Sequence, residues 1–246
     1  MVASDCVEEG RSSGWCGAWG HLSWVRSKLP EPMDPNTLVN ILVIAFVVLS
    51  LGIHEAAHAW VANLRGDSTA KDLGRLTLNP IVHIDPIMTI GLPVMLAIMG
   101  GPIFGGAKPV PVVSSRLKRP RLDMVLVAIA GPISNLLLAM VFMVALKVMI
   151  YMFGMPESEL APVVIARTAG VNVLLAAFNM LPIPPLDGSR VLSFFLPRGL
   201  RATYDELGRF GMLFVFLLLA SGKLSQVLAL DPIIEVLWFL TGGRWS

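Results

Sequence analysis

The chain has 246 residues, of which 55% are hydrophobic and 15% are charged, and its mean hydropathy is +0.72. These values exclude an ordinary soluble domain and predict an all-α polytopic membrane protein with one functional unit. The formal net charge is +2, and we predict no nucleic-acid partner because the basic residues lie in loops between apolar segments.

Residues 1–37 contain no apolar run. We predict a poorly ordered N-terminal extension here, followed by a single membrane-embedded domain over residues 38–246. The two cysteines of the chain, Cys6 and Cys16, both precede the first apolar segment. They cannot complete a cysteine-based metal site, so any metal ligands must come from other residue types.

Residues 38–62, LVNILVIAFVVLSLGIHEAAHAWVA, form an apolar segment that carries His54, Glu55 and His58 in its second half. A hydrocarbon core of about 30 Å needs roughly 20 apolar helical residues, which this segment supplies. Histidines four residues apart lie on one helix face, and the HExxH pattern joins two zinc ligands to a carboxylate that can take a proton from a bound water. The alternative is a chance match on an amphipathic helix. Because ionisable groups at membrane depth are costly, we interpret the three residues as a metal site.

A charged connection follows, and then residues 87–104, an apolar stretch interrupted by glycines and prolines. These interruptions weaken a continuous helix, and broken backbone at membrane depth is tolerated only where protein or a cavity surrounds it. We therefore predict a re-entrant or hairpin element at 87–104, packed near the metal site. The stretches 75–80 and 107–113 are predicted to be short extended strands beside it.

The remaining apolar segments give a total of about five predicted transmembrane helices. The predicted spans are 38–62, 124–152, 162–184, about 210–221 and 226–241. Basic residues concentrate in the loops 63–123 and 188–209. The positive-inside rule places both loops in the cytoplasm provided that residues 87–104 do not cross the bilayer.

Catalytic zinc usually takes three protein ligands, so a third ligand is needed besides the two histidines. The candidates are His83, Asp67, Asp72, Asp85, Asp123 and Asp187. Asp187 stands at the end of an apolar segment among prolines, where its carboxylate can face a protein interior. An aspartate that caps a helix or turn at a membrane boundary has the same pattern. The residues alone give the two interpretations equal weight.

Three motifs together resemble the site-2 protease family of intramembrane zinc metalloproteases, peptidase family M50. They are HEAAH in the first span, AGPISN at 130–135 and N-x-x-P-x-x-x-L-D-G at 179–188. The segments HIDP and AKPVPV further resemble the compact bacterial members that lack a PDZ or CBS domain. The match covers residues 38–190, the core of what would be an intramembrane metalloprotease domain over 38–246.

The resemblance implies a zinc-dependent endopeptidase that hydrolyses transmembrane or membrane-associated protein substrates, as in regulated intramembrane proteolysis. It implies one Zn²⁺ per chain held by His54, His58 and Asp187, with Glu55 activating the zinc-bound water. It also implies a multi-pass protein of the bacterial plasma membrane whose active site faces the cytoplasm. Asn135 and Asn179, amides in the family motifs, are predicted oxyanion or substrate contacts, the alternative being interhelical hydrogen bonds in the bilayer.

Two other functions fit parts of the pattern: a non-catalytic metal-binding membrane protein and a metal-ion transporter. Glu55 argues against the first, because a closed structural metal site does not need a base. A transporter would show inverted repeats and ionisable groups on successive spans. The sequence contains no internal repeat and few such groups beyond the proposed triad, so it favours the protease.

Overall fold

The structure of the protein, a computed structural model, describes residues 34–86, 91, 106–221, 228, 233, 235 and 236. The chain divides into two units, Met1–Leu38 and Val39–Ser246. Nearly all of the predicted N-terminal extension lies outside the described residues. The same holds for the predicted re-entrant element at 87–104 and for most of the last predicted span. These features, and the predicted domain boundaries, stay predictions.

The described part of the chain is helical and contains no β-strand. Its α-helices are α1 (Pro35–Leu64), α2 (Thr69–Asp72), α3 (Pro120–Lys147), α4 (Leu160–Asn179), α5 (Asp187–Phe195), α6 (Arg198–Leu207) and α7 (Gly211–Ala220). A π-helical turn, Val148–Met152, continues α3, and short 3₁₀ turns lie at Pro80–His83, Ser114–Arg116 and Gly208–Phe210.

In the part of the chain that the structure describes, three helices are long and apolar enough to cross a membrane: Asn36–Leu64, Pro120–Met152 and Leu160–Asn179. They confirm the predicted all-helical class and correspond to the first three predicted spans. The third ends at Asn179 rather than at residue 184, because three prolines interrupt residues 180–186. The count of about five spans stays a prediction, since α7 has only 10 residues and the segment after it is largely undescribed.

Small side chains let the membrane-spanning helices approach closely. Ala139 and Met143 of α3 pack against Ala169 and Val173 of α4 in one buried cluster. Alanines at such contacts bring backbones together, which is how helices associate where lipid removes the hydrophobic driving force. The opposite faces carry exposed isoleucines, leucines and valines, as a lipid-facing surface requires.

Helix α1 ends in a turn that redirects the chain after Leu64. The Asp67 N–H donates to the Ala62 carbonyl (2.9 Å), and Gly66 adopts a φ of +110°. A side chain at Gly66 would also meet the Arg116 carbonyl at 3.2 Å. Glycine is favoured here both by its backbone conformation and by this close approach.

Residues 106–113 lie against α1 without forming the predicted strand, and the other predicted strand, 75–80, is replaced by bends at 76–78 and the start of a 3₁₀ turn. The reason lies in the partners of the backbone N–H groups. Lys108 donates to the His83 carbonyl (2.7 Å), Val110 to the Glu55 side chain and Val113 to the Asp67 side chain. Pro109 and Pro111 have no N–H to donate, so no ladder can form along this edge.

The turn between α4 and α5 is packed against its neighbours by glycines. A Cβ on Gly188 would lie 2.1 Å from the Met180 carbonyl oxygen, and a Cβ on Gly211 would overlap the Pro184 carbonyl. The Tyr204 hydroxyl of α6 donates to the Pro182 carbonyl (2.9 Å), and burial raises the pKa of that phenol. These contacts determine where α5 begins, and its first residue is Asp187.

Candidate active site

Two helices bring three potential ligands to one point. His54 and His58 lie one turn apart on α1, and Asp187 begins α5. The two Nε2 atoms are 3.0 Å apart, and each lies 3.3 Å from Asp187 Oδ2. Both histidines are buried, and Asp187 is the acidic side chain that completes this group.

One face of α3 packs against the two imidazoles, at positions spaced by four residues. His58 Nδ1 donates to the Val127 carbonyl (2.7 Å), and the Asn135 amide lies 3.2 Å from His54 Nδ1. Between them, a Cβ on Gly131 would lie 2.4 Å from His58 Nε2 and 2.5 Å from His54 Nε2. The pairing of His58 with 127 and His54 with 135 means that α3 runs antiparallel to α1.

This donor set fits a zinc ion. Tetrahedral bonds of about 2.0–2.1 Å place two ligand atoms about 3.3 Å apart, close to the separations found here. Because the His58 Nδ1–H is used by Val127, its Nε2 lone pair faces the shared point. Zinc takes neutral imidazoles and carboxylates as ligands, and Asp187 offers its Oδ2 at the point that the two Nε2 atoms share.

Glu55 lies beside the three ligands and is oriented by the backbone of the 106–113 segment. Its Oε2 accepts a hydrogen bond from the Val110 N–H (2.9 Å). Glu55 also lines a cavity of about 320 Å³ together with His54, His58 and Asp187. The other walls come from residues 106–112, from α3 and from the end of α4. A peptide segment could enter this space next to both the ligands and the carboxylate.

The two asparagines predicted to contact substrate occupy different positions. Asn179 lines the cavity, and its Nδ2 donates to the Leu175 carbonyl one turn back (2.9 Å). Asn135 is fully buried against His54 and is not among the residues that line the cavity. Its Oδ1 is buried and has no hydrogen-bond partner among the residues that the structure describes.

Four of the other candidate ligands have different partners, and the fifth, Asp85, is not grouped with the two histidines. Asp123 pairs with Arg65 (2.6 Å), and Asp72 accepts from the Ser68 hydroxyl (2.8 Å). Asp67 accepts from the Val113 N–H (2.6 Å) and from Thr69. His83 is buried beneath Gly52 of α1, with Nε2 3.1 Å from the Thr77 carbonyl. Within the described ranges, the two histidines are grouped with Asp187 alone.

Three functional contacts were not predicted from the sequence. The Val127 carbonyl and the Val110 N–H are backbone groups, and no residue type marks them. Gly131 did leave a signal, because it lies on the same face of a helical segment as Asn135, within the motif AGPISN.

Comparison with known proteins agrees with this arrangement. The model of peptidase family M50 matches residues 148–220. The zinc metalloprotease YwhC of Bacillus subtilis is 43% identical over 217 residues, which cover 86% of this chain and 91% of that protein. The zinc metalloprotease Rip2 of Mycolicibacterium smegmatis is 32% identical over 212 residues, 85% of this chain and 78% of that protein. No solved structure matches.

The apolar helices and the grouped histidines and aspartate define a membrane protein with a metalloprotease-type centre. With the similarity to YwhC and Rip2, the chain belongs to peptidase family M50, the site-2 protease family, and is a zinc metalloprotease. The resemblance carried by the three sequence motifs is confirmed.

Proposed function

We propose that the protein is an intramembrane endopeptidase in which His54, His58 and Asp187 hold one zinc ion and Glu55 is the acid–base residue. The observation that carries the proposal is the convergence of the three ligand atoms beside Glu55 in one cavity. The two histidines and the glutamate lie on a helix long enough to span a bilayer. The bond under attack is therefore at or near membrane depth.

A zinc ion in this site would lower the pKa of a bound water and polarise the carbonyl of the scissile bond. Glu55 takes a proton from the attacking water and later delivers it to the leaving amine. The hydrogen bond from Val110 holds one carboxylate oxygen in place, so that the carboxylate keeps its orientation between these two steps.

The exposure of the two amides supports different roles for them. Asn179 faces the cavity, and its amide is a suitable donor to the oxygen that becomes negative during attack. Asn135 instead contacts His54. When Nε2 of His54 binds a metal, Nδ1 carries the proton and needs an acceptor. Rotation of the Asn135 side-chain amide by half a turn places its Oδ1 opposite the His54 Nδ1–H. The buried oxygen then accepts a hydrogen bond, and Asn135 acts as a positioning residue for His54.

The substrate is a transmembrane or membrane-associated protein whose cleaved segment is unwound. Peptide groups within a helix are shielded by their own hydrogen bonds, so the segment must be non-helical in the cavity. Residues 106–112 form one wall and can lie alongside it. Residues 76–78 line a separate cavity of about 360 Å³ against Trp60, so the contact with substrate is assigned to the 106–113 segment alone.

The orientation of the protein in the membrane follows from the antiparallel arrangement of α1, α3 and α4. The end of α1, the start of α3 and the end of α4 lie at one end of the three spans, where the connections carry most of the basic residues. The positive-inside rule assigns this end to the cytoplasm. We therefore place the active site toward the cytoplasmic side of a bacterial plasma membrane.

The test compares the wild type with Glu55→Gln in proteoliposomes that contain a panel of fluorogenic transmembrane peptides. We expect one zinc per chain in both proteins and cleavage by the wild type alone. Cleavage by the variant would contradict the role of Glu55. A folded wild type without zinc would instead support the non-catalytic alternative, and zinc flux across the vesicles without cleavage would support the transporter.

A further inference from the structure

A second cavity, of about 460 Å³, adjoins the active-site cavity on the side of α5. The two cavities share Met124, Pro185 and Arg190 as lining residues. Three arginines from three helices line the second cavity: Arg121 of α3, Arg190 of α5 and Arg201 of α6. The lining of this cavity also includes the acidic residue Asp205. The second cavity therefore carries more positive than negative side chains, and Arg190 is the charged residue that it shares with the active-site cavity.

Among the residues that the structure describes, the three arginines of this cavity form no ion pair with a carboxylate. Arg121 donates to the Phe194 carbonyl (3.2 Å), and Arg201 donates to the carbonyls of Ser193 (3.0 Å) and Leu196 (3.2 Å). These bonds cap the C-terminus of α5 and account for the placement of two guanidinium groups. In the part of the chain that the structure describes, the arginine–carboxylate salt bridge is the one between Arg65 and Asp123.

Arg190 differs from the other two arginines in having no such structural task. It is exposed, and its Nη1 lies 3.4 Å from the uncharged Met124 sulfur. It also lines both cavities, three residues after Asp187. A guanidinium group presents planar N–H donors that match a carboxylate bidentately. Arg190 is therefore placed to bind an anionic group of whatever occupies the active-site cavity.

We propose that the arginine-lined cavity is an anion subsite that binds an acidic side chain of the peptide substrate. The proposal rests on the peptidase function proposed above. A peptide is favoured over a lipid headgroup because the cavity opens from the site where the substrate is cut, through residues common to both. Substrates with glutamate or aspartate near the cleaved bond are then preferred over neutral ones.

The test measures binding of two fluorescein-labelled peptides to the full-length, zinc-loaded protein in a non-ionic detergent. The peptides have the same apolar sequence, and one carries glutamates where the other carries glutamines. We expect the glutamate peptide to bind about tenfold more tightly to the wild type, and this preference to fall with added salt. Arg190→Gln removes the preference, and Arg190→Glu reverses it.

The matched control is Arg167→Gln, which removes an exposed arginine of α4 that donates to the Asn40 side chain (3.2 Å), outside the cavity. It keeps the full preference. Zinc content and thermal stability of the Arg190 variants show that they are folded. Equal affinities of wild type and Arg190→Gln for the glutamate peptide would overturn the proposal.

Two further outcomes separate the possible explanations. The binding is repeated in nanodiscs of phosphatidylcholine and of phosphatidylglycerol. If anionic lipid abolishes the Arg190-dependent preference, the cavity holds lipid headgroups and the peptide subsite is overturned. Because binding is read without hydrolysis, an Arg190-dependent preference in a protein that cleaves nothing would support the subsite and contradict the proposed function, whereas cleavage without any preference would overturn the subsite alone.

Discussion

The two histidines and the aspartate reach the same point by different means. His54 and His58 are brought together by the geometry of one helix, whose four-residue spacing places them on one face. Asp187 comes from a turn about 130 residues further along and is positioned only by tertiary packing. The start of α5 is fixed by two close backbone contacts: Gly188 packs against the Met180 carbonyl, and Gly211 packs against the Pro184 carbonyl.

The difference shows where such a site is vulnerable. A substitution on α1 outside the motif leaves the histidine pair on one face as long as the helix forms. A substitution in the turn or on α3 can separate the histidines from Asp187 without touching any ligand. Measurements of zinc binding and of stability in variants test this contrast.

Asp187→Ala removes the proposed ligand whose position depends on tertiary packing. We expect zinc affinity to fall by more than about 100-fold, beyond the range for residues that only support a ligand. Zinc stoichiometry by mass spectrometry and chelator competition on the purified protein measure the loss. Asp72→Ala, which removes an exposed carboxylate bonded to Ser68, should bind zinc as the wild type does. Unchanged zinc in the Asp187 variant would place the third ligand elsewhere.

Gly131→Ala should give the second largest effect, because its new methyl group would lie 2.4–2.5 Å from both imidazoles. Alanine improves helix propensity by about 1 kcal/mol, but overpacking of this kind costs about 1–3 kcal/mol. We therefore expect weaker zinc binding and a lower Tm.

The matched control for Gly131→Ala is Gly170→Ala on α4, where a methyl group meets nothing within 4 Å. It should leave zinc binding unchanged and raise the stability by up to about 1 kcal/mol. Equal zinc affinities for the two alanine variants would show that α3 does not constrain the histidines.

The same contrast explains what the sequence could predict. The histidine pair and its glutamate were identified from spacing within one apolar helix, which local geometry determines. For Asp187, the residues alone give equal weight to a metal ligand and to a cap of a helix or turn, because no local rule links it to residues 54–58. The family resemblance is what favours the ligand. The helical class and three spans followed from long apolar runs, which are also local features.

The features that sequence patterns missed depend on backbone groups and on contacts between distant segments. Alternating valines and prolines at 107–113 suggested a strand, yet three of the N–H groups there donate to His83, Glu55 and Asp67 instead of to a neighbouring strand. The role of Gly131 depends on the position of α1 beside α3, and residue 131 alone does not reveal it.

Asn135 tests whether α3 orients His54 through a hydrogen-bond acceptor. Asn135→Leu removes the acceptor at similar volume, and we expect zinc affinity to fall about 10–100-fold. Asn135→Asp keeps an oxygen for the His54 N–H and should bind zinc at least as tightly as the wild type. If the aspartate variant lost zinc as strongly as the leucine variant, the amide would act as a donor and the positioning role would be wrong.

The smallest effect is expected at Asp67, which accepts a hydrogen bond from the Val113 N–H at the end of the 106–113 segment. Burial would raise the pKa of this carboxyl, but the hydrogen bonds from Thr69 and Val113 and the nearby Arg116 charge outweigh it and lower that pKa. A lowered folded-state pKa adds stability above the unfolded pKa of about 3.9, and this stability is lost as the pH falls through the folded value.

Asp67→Asn should therefore lower the Tm at neutral pH, by the loss of about 1–3 kcal/mol from charged hydrogen bonds, and should flatten the acid limb of the stability curve. Zinc affinity should stay within a few-fold of the wild type, roughly within 1 kcal/mol, because no ligand is touched. Cleavage should fall further than zinc binding, since Val113 is three residues from the amide that orients Glu55.

Thermal scans of the detergent-solubilised protein from neutral to acidic pH measure the change in stability caused by Asp67→Asn. A parallel loss of stability in wild type and variant as the pH falls would mean that Asp67 does not anchor this segment.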